Sequence, residues 1–237
     1  MTSIDGKTVL VTGGHRGLGA AVVDEAIARG AAKIYATSRS AVDDPRPQVE
    51  SRQLDVTSTH SIDTLAEEAT DVEIVFNNAG VLHPQNLLDG RFDLVEKTFD
   101  TNVYGPLRIA RAFAPILKAN GGGAIVNMLS VLTWLAGSGS YGASKAAAWS
   151  VTNSLREELR EHGIQVIGVH AGFIDTDMVA DMAMPKARPE DIARAIFDGL
   201  EASAHEVLAD DASVVVKAAL AGPVEALTLS NVIAGSL

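Results

Sequence analysis

Short runs of β-branched and other apolar residues alternate along this chain with longer stretches whose apolar positions recur at helical spacing. βαβ units produce this alternation, because each strand of a parallel sheet is buried on both faces and each helix on one. The pattern predicts a strand over residues 8–12, a turn over 13–19 and a helix over 20–29 closed by Gly30. Further strands are expected over 33–37, 51–54, 72–76, 124–128 and 164–170, with an edge strand over 206–208. Helices are expected over 61–69 and 189–202, and two long ones run from Phe92 to Lys118, bent near Gly105-Pro106, and from Tyr141 to Glu161, stopped by Gly163. With no repeat, linker or low-complexity tract, the reading is an α/β chain of one domain over residues 1–237. It is a doubly wound parallel sheet of about seven strands with helices on both faces.

Composition narrows the partners. The 237 residues are 47% hydrophobic, enough for a substantial core, and Lys+Arg 19 against Asp+Glu 30 gives a net charge of -11. An acidic surface repels phosphate backbones, so nucleic acid is not an expected partner, and any bound phosphate needs a local site working against the overall field. The absence of cysteine excludes disulfides, thiolate–zinc sites and thiol nucleophiles. The start of the chain is polar, and no stretch approaches the ~18–20 apolar residues of a membrane span, so a soluble cytoplasmic protein without a membrane partner is expected. His15, His83 and His170 are scattered without ligand spacing, and no metal is expected.

Two segments carry chemistry. Thr12-Gly13-Gly14-His15-Arg16-Gly17-Leu18-Gly19 follows the first strand and opens the first helix. Glycines there permit a tight turn and let backbone N–H groups approach a pyrophosphate at the helix N-terminus. A glycine-rich turn without a ligand would read the same way in isolation. Tyr141-Gly142-Ala143-Ser144-Lys145 places a phenol and an ammonium four residues apart, on one helix face. A phenol titrates near pH ~10 and is a poor base at neutrality, and a nearby ammonium favours its ionised form. Ser130 follows the strand over 124–128 and could hydrogen-bond a substrate oxygen beside the phenol.

In spacing and order these motifs resemble the short-chain dehydrogenase/reductase family, compact single-domain type, over about residues 7–200. The resemblance implies a Rossmann-type sheet and a nicotinamide cofactor lying along Gly13, His15, Arg16, Gly17, Leu18 and Gly19. It implies further cofactor contacts at Asp55 and Val56, at Asn78, Ala79 and Gly80, at Tyr141 and Lys145, and at Gly172, Ile174 and Thr176. It also implies catalytic roles for Ser130, Tyr141 and Lys145, and for Asn102 as holder of a water that links the lysine to solvent. A basic residue before the second glycine goes with NADP(H) in that family. The second strand here ends in Ala36-Thr37-Ser38-Arg39 with no carboxylate until Asp43. Ser38, Arg39 and Arg16 would attract a 2′-phosphate that a carboxylate would repel, so NADP(H) is favoured over NAD(H).

The reaction implied is hydride exchange between the nicotinamide and a carbonyl or alcohol, with Tyr141 as general acid/base. The alternative is a catalytically idle NADP(H)-binding regulatory protein on the same fold. Departures from the family pattern are a shortened segment between Ser130 and Tyr141, and Ala171 where the family has proline. Ser138 and Ser140 are rival hydroxyls nearby. Phe173, Met178, Met182 and Met184 suggest an apolar substrate cover, or else a small helix on the core, and so a hydrophobic ketone, aldehyde or alcohol. Trp134 and Trp149 read as pocket wall or core. The two long helices resemble those that pair subunits into homodimers or homotetramers.

Overall fold

The computed structural model describes residues 3–234; Met1 and Thr2 of the polar start and residues 235–237 of the apolar tail lie outside the described residues. Seven parallel strands form one sheet in the order β3-β2-β1-β4-β5-β6-β7. They are β1 (Thr8–Val11), β2 (Lys33–Ser38), β3 (Val49–Gln53), β4 (Ile74–Asn77), β5 (Gly123–Met128), β6 (Ile164–His170) and β7 (Glu206–Leu208). The strand order reverses between β1 and β4, so the chain leaves adjacent strands in opposite directions and opens a crevice at their carboxyl ends. This is the doubly wound, Rossmann-type sheet expected from the alternating pattern.

Both faces are covered. On one, α1 (Gly17–Ala28) and α6 (Pro189–Glu201) bury Val22, Ile196 and Phe197 against Val9, Ile34 and Val126. On the other, α2 (Thr59–Glu68), α4 (Gly105–Ala119) and α5 (Gly139–Leu159) bury Ile62, Ile109, Phe113 and Leu155 against Leu10, Val75 and Ile125. Alternate residues of a strand face opposite sides, so each central strand feeds both cores. Among the described residues no helix is long and apolar enough to cross a membrane.

Three departures from the expected pattern matter for the site. The helix predicted from Phe92 to Lys118 is divided into α3 (Phe92–Phe99), a π-helical turn over Asp100–Tyr104, and α4. Pro106 has no N–H to give the Asn102 carbonyl, and the Gly105 N–H reaches back five residues to Asp100, so the register slips here rather than simply bending. Gly105 also packs against Val56, where a Cβ would stand 3.0 Å from the valine Cγ2. Second, the segment after Thr176 does not form the small helix offered as one reading of it. A bridge pairs Ile174 with Ala187, and Asp177–Val179 forms a single 3₁₀ turn. Third, the tail forms α7 (Asp211–Ala219) and α8 (Leu229–Ile233), which fold back so that Val216 and Leu227 pack on Val131 and Leu135.

Candidate active site

The glycine turn is locked to the neighbouring strand by one buried hydroxyl. Thr12 Oγ1 accepts from the N–H groups of Asn78 and Ala79, 3.0 Å each. Asn78 Nδ2 in turn donates to the carbonyls of Thr12 and Gly13 at 3.0 and 3.2 Å. Two glycines are required by geometry. Gly17 takes φ +53 with its absent Cβ 3.1 Å from Thr176 Cγ2, and a Cβ on Gly19 would lie 2.0 Å from the Gly13 carbonyl oxygen. The turn thus brings Thr176, from the far side of the crevice, against the first turn of α1. Arg16 at the helix N-cap makes no side-chain cap, and no acidic residue stands in the first turn of α1. Uncapped amide N–H groups at a helix N-terminus, framed by glycines too crowded for a side chain, make a cradle that fits a pyrophosphate.

Arg16 and Arg39 are exposed, and neither forms an ion pair among the described residues, so both guanidinium groups are free to meet an anion. Ser38 donates its hydroxyl to the Ser40 carbonyl. A carboxylate does reach this corner, contrary to the reading of the strand end alone. The chain after β2 loops back and buries Asp44 with an oxygen 3.7 Å from His15 Nδ1, while His15 Nε2 lies 3.1 Å from the Ala36 carbonyl. Arg46 grips Asp44 through Nε at 2.8 Å and through a second guanidinium nitrogen, and this pairing holds the carboxyl down at about 2. The negative charge is matched where it stands. His15 is thereby fixed over the end of β2.

Asp55 spends Oδ1 on the Thr57 N–H and hydroxyl, at 2.9 and 2.7 Å, and these bonds lower its pKa. It therefore caps its own turn, with Val56 buried beside it.

The catalytic candidates converge at the ends of β5 and α5. Ser130 is buried, and its hydroxyl lies near enough to the Tyr141 phenol to lower the phenol's pKa by hydrogen bonding. The rivals are committed elsewhere. Ser138 donates to the Leu135 carbonyl at 2.8 Å, while Ser140 donates to the His83 carbonyl at 2.6 Å and accepts from the Gln85 N–H at 3.1 Å. Ser140 therefore fastens the segment after β4 to the residue next to Tyr141. Lys145 is 7% exposed and gives its ammonium to the Met128 carbonyl at 2.7 Å, 5.7 Å from the Tyr141 ring centroid.

Here the expected electrostatics is corrected. Burial pushes the phenol up to about 12, and only the Ser130 hydrogen bond acts in the other direction. Burial also pushes Lys145 down to about 8. An ammonium turned towards a backbone carbonyl does not, within the protein alone, make Tyr141 more acidic.

Asn102 is buried, with its side chain engaged on both sides. The π turn rotates it inward, where Oδ1 accepts from the Val81 N–H at 2.9 Å and Nδ2 donates to the Val81 carbonyl at 3.0 Å and Ser144 Oγ at 3.2 Å. Its side chain is a fastener between the strand-β4 turn and α5. A cavity of about 10 Å³ lies beside it, lined by Asn102, Pro106, Asn127 and Met128 among others. That is about the room one water requires.

Gly172 donates its N–H to Asp210 Oδ2 at 2.7 Å, and Asp210 caps α7 through its other oxygen on Ser213. The turn without its proline is thus held from the tail. Ile174 and Thr176 follow it into the crevice wall, with Thr176 Oγ1 donating to the Ile174 carbonyl at 3.3 Å. Phe173, Met182 and Met184 are half-buried, and Met178 is exposed. Trp134 and Trp149 meet edge to face behind the site, with Lys217 over both rings. Gly80 lies beside Asn102 Oδ1, on the crevice side of the β4 turn.

Comparison with known proteins gives a consistent result. A family model described as short chain dehydrogenase matches residues 7–186. A short-chain dehydrogenase from Burkholderia cenocepacia, solved in complex with NADP, is 36% identical, superposes with a TM-score of 0.90, and is covered over 97% of its chain by 95% of this one. One from Burkholderia phymatum in complex with NAD shares the fold at TM-score 0.81 and 24% identity, over 92% of this chain and 94% of that one. A 3α-hydroxysteroid dehydrogenase of Mediterraneibacter gnavus is 33% identical over 81% of this chain and 88% of its own.

Proposed function

Since this chain belongs to the short-chain dehydrogenase/reductase family, a family of oxidoreductases, we propose that it interconverts a ketone or aldehyde and the corresponding alcohol using NADP(H). The observation that carries the reading is the Ser130 hydroxyl on the Tyr141 phenol, with Lys145 buried one helical turn away.

When bound, the nicotinamide would supply the hydride in reduction and, in its oxidised form, carry a positive charge. The glycine turn and the α1 N-terminus would hold the pyrophosphate, Arg16, Arg39 and Ser38 the 2′-phosphate, and Gly172, Ile174 and Thr176 the carboxamide end. In reduction Tyr141 gives its proton to the substrate oxygen while Ser130 fixes that oxygen by a hydrogen bond. A phenol at about 12 is a secure proton donor. In the opposite direction it must be made a base, and a cation beside it favours the phenolate. Lys145, at about 8, exchanges protons readily near neutrality. Its proton path runs past the Met128 carbonyl to the small cavity at Asn102.

NADP(H) is favoured by the two unpaired arginines and by the neutralisation of Asp44 through Arg46. A hydrophobic carbonyl or alcohol is favoured by Phe173, Met182 and Met184 at the crevice and by the hydroxysteroid-oxidising relative. Self-association through α3–α4 and α5 is favoured by the exposure of Phe92 at 70% and Tyr104 at 50%. The test is NADPH and NADH oxidation against aryl, aliphatic and steroid ketones. NADPH-dependent turnover of at least one apolar ketone is expected; NADPH binding with no turnover across the panel would favour the idle regulatory protein.

A further inference from the structure

His170, the last residue of β6, is fully buried and lies outside every role assigned above. Its Nδ1 is 3.0 Å from the Ser130 carbonyl oxygen, and its Nε2 is 3.5 Å from Glu206 Oε1 with no hydrogen-bond partner among the described residues. Two acceptors cannot share a 3.0 Å contact, so the proton sits on Nδ1 and is donated to Ser130. Burial, which pushes the imidazole down to about 4, keeps it neutral. The ring stacks on Trp134 with centroids 3.9 Å apart. The charged groups facing it are Glu206 on β7, Lys217 on α7 and Lys145 on α5. Lys217 binds both Glu206 oxygens at 2.9 and 2.7 Å, so the carboxylate behind Nε2 is neutralised.

We propose that His170 is a positioning residue for Ser130: its Nδ1–H, donated to the Ser130 carbonyl, orients the residue whose hydroxyl faces Tyr141, while the stacked Trp134 ring fixes the plane of the imidazole. This rests on the reading of Ser130 and Tyr141 given above. Ser130 is the N-cap of the 3₁₀ turn Val131–Trp134, with its hydroxyl also accepting from the Leu132 N–H at 3.1 Å. Rotation of its peptide would turn that hydroxyl away from the phenol.

The test uses the full chain labelled with ¹³C at tyrosine Cζ, the Tyr141 signal being identified by its loss in Tyr141→Phe. Ser130→Ala is expected to shift that signal. His170→Phe keeps a ring on Trp134 but has no donor, and is expected to shift it in the same direction. His170→Asn, whose amide nitrogen stands where Nδ1 does, is expected to restore it. In turnover, His170→Phe is expected to lower kcat about tenfold, the worth of one hydrogen bond, with the NADPH dissociation constant unchanged and with recovery in His170→Asn. An unmoved Tyr141 signal in Ser130→Ala or His170→Phe overturns the proposal, as does His170→Asn behaving like His170→Phe. In the unsubstituted chain, imidazole ¹⁵N shifts near neutral pH are expected to show the proton on Nδ1; a proton on Nε2 overturns it even if His170→Phe does not fold. These spectra need no turnover, so a chain inert towards every carbonyl would remove the functional reading while the positioning role was still decided.

Discussion

The cofactor side and the catalytic side of the crevice are built differently. The turn after β1 presents its anion-facing groups from consecutive residues, and its main brace is one neighbour, Asn78, hydrogen-bonded around Thr12. Ser130 and Tyr141 are set by partners scattered along the chain. His170 holds the Ser130 carbonyl, and Ser140 ties the start of α5 to His83 and Gln85. A locally built site tolerates damage elsewhere in the molecule. A site built from long-range contacts transmits it.

The contrast can be broken most forcefully at the phenol. Tyr141→Phe is expected to lower kcat by roughly 10²–10⁴, the usual worth of a general acid, with the NADPH dissociation constant within a few-fold of the parent. Comparable losses in kcat and in cofactor binding would mean that the two sides are not separable. Ser130→Ala is expected to cost about 10²-fold in kcat, as for loss of one donor to a reacting oxygen, again with little effect on cofactor affinity.

The complementary change sits on the other side. Arg39→Ala and Arg16→Ala should each weaken NADPH about tenfold or more, as for loss of a charge-assisted hydrogen bond, and leave NADH affinity and kcat nearly unchanged. Isothermal titration with the two cofactors reads this directly, and equal weakening of both would assign the arginines to the pyrophosphate instead. The smallest effect is expected at Asp210→Ala. Losing the α7 cap costs about 1 kcal/mol, a fall of roughly 2–4 °C in Tm for a chain of this size, accompanied by a rise in KM as Gly172 is released. An unchanged KM would separate the tail from the site.

This division also decides what the sequence made legible. The strand alternation, the place of the glycine turn between β1 and α1, and the placing of Tyr141 and Lys145 on one helix are legible because each depends on neighbours a few positions away. The strand β6 and the edge strand β7 fall on the residues expected. Asp44 escaped because its place beside His15 depends on a loop returning and on Arg46 pairing with it. The inward turn of Asn102 depends on a helical register slip, for which Gly105-Pro106 was the available signal. The tail helices carried their own marks, since Asp210 with Ser213 is a capping box and Thr228 caps α8, but no periodicity announced that they pack on residues 131–135. The direction of the Tyr141 shift could not be read from spacing, because it is set by burial, against which the Ser130 hydroxyl acts.

The central claim is that the phenol is a protonated donor in the protein alone and becomes a base only beside oxidised cofactor. Titration of the ¹³Cζ signal of Tyr141, with and without saturating NADP⁺, tests it most directly. The account predicts a phenol that stays protonated through pH 10 in the free protein and ionises at markedly lower pH with NADP⁺ bound. A Tyr141 that titrates at the same pH in both states, or that is already ionised near neutrality in the free protein, would contradict it.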